Sequence, residues 1–194
     1  MSRGRRGRLR IIGGRWRGRP LTVAPVPGLR PTPDRVRETL FNWLAPELPG
    51  ARCLDLFAGT GALGLEALSR GAAEAVLVER DARLVRLLQE KVAELEAPAR
   101  VVQAEVGAYL NGAAESFHIV FMDPPYASGR LAEYCRRLAD GGWAAPGARV
   151  YVECDAGEAV PDLPDAAWPA GWGVLRRGRA GRAAFALLEV PEAY

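Results

Sequence analysis

Residues 54–64 read Leu-Asp-Leu-Phe-Ala-Gly-Thr-Gly-Ala-Leu-Gly, so that Gly59, Gly61 and Gly64 spell G-x-G-x-x-G behind an apolar strand end that closes on Asp55. Close backbone approach is what removes the Cβ at such positions, because a side chain there would block the turn, the ligand or the following helix. Glu79 lies 20 residues past Gly59, at the end of the next apolar run, where a carboxylate can accept from ribose hydroxyls. Gly59, Gly61 and Glu79 together describe a strand–turn–helix crevice for an adenosine. No Lys-Ser/Thr pair follows the glycines, which excludes a Walker A loop. The pattern reads equally as a nicotinamide dinucleotide site and as an S-adenosyl-L-methionine site, since both ligands present an adenosine to the same crevice.

Outward from this loop the chain alternates. Cys53–Phe57, Ala75–Glu79, Arg100–Gln103, His118–Met122 and Arg149–Glu153 read as strands, and Gly61–Arg70, Ala82–Leu95, Val106–Asn111 and Leu131–Ala139 as helices. Near-continuous apolar strands separated by helices predict an α/β, Rossmann-like fold whose mostly parallel sheet is covered on both faces. The end differs: Gly173–Arg177 and Ala183–Val190 flank an Arg-Gly-rich turn, which predicts a hairpin and an antiparallel last strand. Residues 155–170, acidic and proline-containing, read as a surface loop.

Three features favour S-adenosyl-L-methionine. Asp55 suits a cationic amino-acid tail better than a pyrophosphate, with Phe57 beside it in the same loop as a further cofactor candidate. Glu105, after the third strand, is placed to accept from an adenine amine. The fourth strand ends as Phe121-Met-Asp-Pro-Pro-Tyr126 rather than in hydride-transfer machinery. Two consecutive prolines fix φ and remove two N–H donors, so the carbonyls around Asp123 and Pro124 stay outside the sheet ladder. They form a rigid group of acceptors beside a flat ring. A nucleobase could stack on Tyr126 and donate its exocyclic N–H groups to Asp123 and the Pro124 carbonyl, which points to methylation of a nucleobase amine.

Composition bounds the rest. The 194 residues are 49% apolar, enough for one domain with a sizeable core. No apolar run approaches the roughly 20 residues that a membrane-spanning helix needs, and the basic N-terminus lacks the apolar stretch of a signal peptide. Cys53, Cys135 and Cys154 are odd in number and widely spaced, as buried free thiols would be, so a cytoplasmic protein without a metal site is expected. The formal charge of +3 conceals an asymmetry: residues 1–30 hold nine arginines and no acid, and the remainder holds 17 bases against 23 acids. Such an arm calls for a polyanionic partner.

The arm, taken as residues 1–28 ahead of a domain at 29–194, has a pattern of its own. Arg8–Ile12 and Pro20–Ala24 can pair as a small hairpin around Gly13–Gly18. Arg10, Arg15, Arg17 and Arg19, interleaved with Trp16, suit phosphate contact and base stacking; Arg30 and Arg35 extend the set of substrate candidates. Thr32-Pro33-Asp34 then opens a helix to about Ala45, with Thr32 as N-cap and Pro33 at its first position. His118 and the tryptophans Trp143, Trp168 and Trp172 read as structural.

These motifs, in this order, resemble the RsmD family of class I methyltransferases. The resemblance rests on Arg10-Ile-Ile-Gly-Gly-Arg-Trp-Arg-Gly-Arg19, Gly28-Leu-Arg-Pro-Thr-Pro-Asp-Arg-Val-Arg-Glu-Thr-Leu-Phe-Asn-Trp-Leu44, the glycine loop continued to Gly71, and Val120–Tyr126. It implies a seven-stranded sheet with one antiparallel strand, S-adenosyl-L-methionine as cofactor and no metal; a monomer is expected. The implied substrate is the N2 amine of a guanine in 16S ribosomal RNA, within an assembled or assembling small subunit. Two other readings stay open from the residues: a DNA adenine-N6 methyltransferase, and a non-catalytic RNA-binding assembly factor.

Overall fold

The computed structural model describes residues 9–23, 32–124, 130–155, 167–181 and 183–192. The strands are β1 (Arg52–Asp55), β2 (Glu74–Glu79), β3 (Ala99–Gln103), β4 (Phe117–Met122), β5 (Ala144–Asp155), β6 (Gly173–Ala180) and β7 (Ala183–Glu189). They form one sheet in the order β3-β2-β1-β4-β5-β7-β6. All neighbours from β3 to β5 pair parallel, and β7 pairs antiparallel with both β5 and β6. The expected antiparallel last strand is therefore β7. Strand order reverses between β1 and β4, and open α/β sheets place their ligands outside the carboxyl ends of strands at such a switch point.

The helices are α1 (Asp34–Leu44), α2 (Ala62–Ser69), α3 (Ala82–Glu94), α4 (Val106–Tyr109) and α5 (Leu131–Asp140). One core cluster joins α1 and α2 to the sheet through Leu40, Phe41, Leu65, Phe121 and Tyr151. A second, built on Leu54, Val120, Leu138, Trp143 and Val150, lies on the opposite face with α5. Alternation along β4 and β5 distributes the residues between them: Phe121 and Tyr151 face α1, whereas Val120 and Val150 face away. All eight residues of α2 are buried, the apolar ones in the core and Glu66 and Ser69 against the N-terminal arm.

Several boundaries differ from the sequence reading. Thr32 is not the cap of α1: Pro33 occupies that position without a side-chain bond, and the helix starts at Asp34. The carbonyl of Pro33 accepts from Val36 and Arg37 N–H, and the Thr32 hydroxyl is committed elsewhere. β5 begins five residues before the expected Arg149. Among the described residues the two expected arm strands are joined by one antiparallel bridge, Arg10–Pro20, flanked by Leu21 N–H to Leu9 O at 2.9 Å and Ile11 N–H to Arg19 O at 3.0 Å, while Arg8 and Ala24 lie outside the described residues. Gly14–Trp16 between them form a 3₁₀ turn. Leu9, Ile11 and Leu21 are buried in the α1–α2 cluster. Most of the expected 155–170 loop lies outside the described residues.

Candidate active site

The C-terminal ends of the central strands bring the acidic candidates to one edge of the sheet. Asp55 ends β1, Glu79 ends β2, Glu105 follows β3, and Asp123 follows β4. The connections stay bonded past the strands: Leu56 N–H donates to Phe121 O at 3.1 Å and Ala58 N–H to Val78 O at 3.0 Å. The glycine loop is thereby held between β4 and β2.

Within that loop Gly59 and Gly61 have φ of +53° and +80°, a left-handed region that other residues adopt at a cost. Gly64 serves close approach instead: a Cβ there would run into the side chain of Leu77. Gly64 N–H donates to Asp55 Oδ2 at 3.1 Å, whereas Asp55 Oδ1 is buried with no hydrogen-bond partner among the described residues. Burial pushes the Asp55 carboxyl up to about 7, against the pull of the Gly64 and Phe57 amides, and Glu79 adds to the rise. A buried carboxylate oxygen without a donor is the counterpart of an ammonium group. The site thus fits the amino-acid end of S-adenosyl-L-methionine.

Glu79, expected to accept from ribose hydroxyls, also binds the glycine loop. Its Oε2 accepts from Gly59 N–H at 3.0 Å and its Oε1 from Asp81 N–H at 2.8 Å, leaving each oxygen a second lone pair for ribose hydroxyls. Phe57 is half-buried, edge-on to Tyr134 with centroids 5.7 Å apart. Glu105 is exposed and caps α4 through Ala108 N–H at 3.1 Å. Its other oxygen accepts from Tyr134 Oη at 3.4 Å, with Arg130 at 3.8 Å.

Asp123 is held from a distant segment: the Thr32 hydroxyl donates to its Oδ2 at 3.0 Å, across 91 residues of chain. Burial raises its carboxyl well above the ordinary carboxylate range, as do Glu153 and Asp55 nearby, and the Thr32 bond lowers it. Pro124 is buried beside it. Tyr126 lies outside the described residues.

The arm docks on α2 through groups that sequence reasoning missed. Glu66, fully buried, accepts from Ile12 N–H and Gly13 N–H, both at 2.8 Å. It also holds Arg70 at 2.7 Å and the buried Arg37 at 3.6 Å, while Arg37 donates to Arg10 O at 2.9 Å. Ser69 Oγ donates to Gly13 O and accepts from Trp16 N–H. The contact is so close that a Cβ on Gly14, at φ +74°, would strike the Ser69 carbonyl. The signal was a lone glutamate in Ala62-Leu-Gly-Leu-Glu-Ala-Leu-Ser69, since a carboxylate on an otherwise apolar helix needs donors from another segment.

Arg10, Arg15, Arg17 and Arg19 are exposed, and so is Arg35 on α1. Trp16 is half-buried against the core cluster, with the Arg15 guanidinium 4.0 Å from its ring centroid. Arg30 lies outside the described residues.

The family described as Conserved hypothetical protein 95 matches residues 9–189. Ribosomal RNA small subunit methyltransferase D of Escherichia coli K12 is 49% identical over 184 residues, covering 94% of this chain and 90% of that protein. The chain belongs to the RsmD family. Among solved structures, yhhF of E. coli superposes with a TM-score of 0.86 at 46% identity, covering 96% of this chain and 100% of that one. An RNA methyltransferase from Salinibacter ruber in complex with S-adenosyl-L-homocysteine shares the fold, with a TM-score of 0.61 at 18% identity, over 85% and 96% of the two chains. This RsmD-family protein is a methyltransferase, and S-adenosyl-L-methionine is its cofactor. Among the described residues no helix is long and apolar enough to cross a membrane.

Proposed function

We propose that this protein methylates the exocyclic N2 amine of a guanine in 16S ribosomal RNA, within an assembled or assembling small subunit, as a cytoplasmic monomer needing no metal. The observation that carries this reading is the acceptor group at the end of β4: a half-buried Asp123 carboxylate that accepts from the Thr32 hydroxyl on one oxygen, followed in the sequence by two prolines and beside the glycine loop.

When bound, S-adenosyl-L-methionine supplies an electrophilic methyl group on a sulfonium. Asp55 and Phe57 hold its amino-acid end, with Gly59 and Gly61 giving the backbone room to approach; Glu79 takes the ribose and Glu105 the adenine amine. The guanine amine is a poor nucleophile because its lone pair is delocalised into the ring. Asp123 and the Pro124 carbonyl accept its two N–H groups and turn the lone pair out of the ring plane, and Asp123 takes the proton the nitrogen loses. Tyr126 stacks on the base. Positioning and proton acceptance of this kind supply several kcal/mol. The arm and domain divide the work: Arg10, Arg15, Trp16, Arg17 and Arg19, with Arg30 and Arg35 at its root, grip the RNA backbone while residues 29–194 carry the chemistry.

The test is transfer of labelled methyl groups to small subunits from a strain lacking this gene, with the modified nucleoside identified by mass spectrometry. N2-methylguanosine is expected, and Asp123→Ala should lower turnover by roughly 10²- to 10⁴-fold with calorimetric cofactor affinity intact. Near-normal turnover of that variant refutes the acceptor role. Product on DNA adenine, or none on any nucleic acid, refutes the substrate.

A further inference from the structure

Thr32 and Glu153 have no role so far, yet both are buried against the reacting end of β4. Thr32, 4% exposed, spends its hydroxyl on Asp123 rather than on its own helix. Glu153, 2% exposed, follows Val152, which pairs with Met122. Asp123, just past the end of β4, and Glu153, within β5, therefore stand at the same level on adjacent parallel strands and, by the two-residue alternation of strands, on the α1 face shared by Phe121 and Tyr151. Tyr151 Oη donates to Glu153 Oε2 at 2.7 Å, which steadies a charge there.

We propose that Thr32 and Glu153 are positioning residues that act through Asp123: the Thr32 hydroxyl fixes the rotamer of the carboxylate, and Glu153, from the next strand, sets its strength as a base. The inference rests on the reading of Asp123 as amine acceptor. A proton acceptor works best with an affinity near the operating pH. An ordinary carboxylate is too weak for that; a like charge beside it strengthens it, and a donated hydroxyl keeps it ionised and aimed. The groups facing Asp123 act in those senses: Glu153 on β5 and Asp55 on β1 raise its proton affinity, and Thr32 lowers it. Thr32 also stands at the join between the arm-bearing segment and α1, so one hydrogen bond ties that segment to the reacting centre.

The full-length protein, labelled with ¹³C at aspartate carboxyls, gives the decisive titration, with the Asp123 resonance assigned by its loss in Asp123→Asn. Thr32→Val, which keeps the shape and loses the donor, should move the Asp123 midpoint up by about one pH unit, and Thr32→Ser should restore it. Glu153→Gln, which keeps the acceptor for Tyr151, should move it down by about one unit. The acid limb of the methylation rate should follow each shift. Unmoved midpoints, or two shifts of the same sign, overturn the proposal. Should Thr32→Val fail to fold by circular dichroism, Glu153→Gln decides: a downward shift supports the proposal, and none overturns it. An Asp123→Asn enzyme with full turnover would refute the acceptor reading alone, since the titration does not depend on it.

Discussion

Asp55→Asn should stabilise the ligand-free protein at alkaline pH while destroying its cofactor site. In the fold the Asp55 carboxyl titrates at about 7 instead of 3.8, chiefly through burial. A raised carboxyl contributes stability that is fully present below the unfolded value and is lost as pH rises through the folded one. Relative to a permanently neutral side chain, the wild-type residue therefore costs about 1.5 kcal/mol at pH 5 and about 4 kcal/mol at pH 8. Asparagine keeps an acceptor for Gly64 N–H but places an amide where Asp55 Oδ1 has no partner among the described residues, a loss of about 1–3 kcal/mol. That loss does not depend on pH, so it cancels between the two conditions. Denaturant unfolding should show the variant gaining about 2–3 kcal/mol relative to wild type between pH 5 and pH 8. In melting temperature this is about 5–10 °C for a chain of this size. Calorimetry should find cofactor affinity abolished, and saturating cofactor should raise the wild-type melting temperature alone. A difference between variant and wild type that is equal at both pH values would refute the reasoning, because it would mean Asp55 is ionised at no cost.

Two further outcomes follow from the arm. Glu66→Ala leaves the buried Arg37 with Asp34 and the Arg10 carbonyl and should cost about 3–5 kcal/mol; Ile12 and Gly13 amides should exchange far faster, and protection confined to its wild-type level there would refute the docking. Replacing Arg10, Arg15, Arg17 and Arg19 together by alanine should flatten the salt dependence of RNA binding by about three in slope, from roughly 0.7–0.9 per phosphate contact; an unchanged slope assigns the arm to something else.

The sheet was legible because its evidence is redundant. Each apolar strand, each helix and each glycine turn repeats the same α/β message, so misplacing β5 by five residues left strand order and the crevice unaffected. Asp55, Glu79 and Asp123 were legible for a related reason: strand ends in a parallel sheet share one edge, and knowing that a residue ends a strand is enough to place it there. What escaped were the bonds that cross the fold. Thr32-Pro33-Asp34 obeys every local rule for a helix start, yet the helix begins one residue later than expected, at Asp34 with Pro33 as its cap. A cap bond and a bond to Asp123 compete for one hydroxyl, and the half-buried carboxyl wins because an acceptor largely shielded from water gains more from a donor than exposed amides that water can reach. Glu66 fits the same explanation from the other side. Its carboxylate looks like an error on an apolar helix until the amides of Ile12 and Gly13 arrive, and nothing within α2 announces them. Where a residue satisfies a local pattern but is also the right length and polarity to reach a buried charge, tertiary electrostatics decide, and in this chain both such decisions attach the N-terminal segment to the catalytic domain.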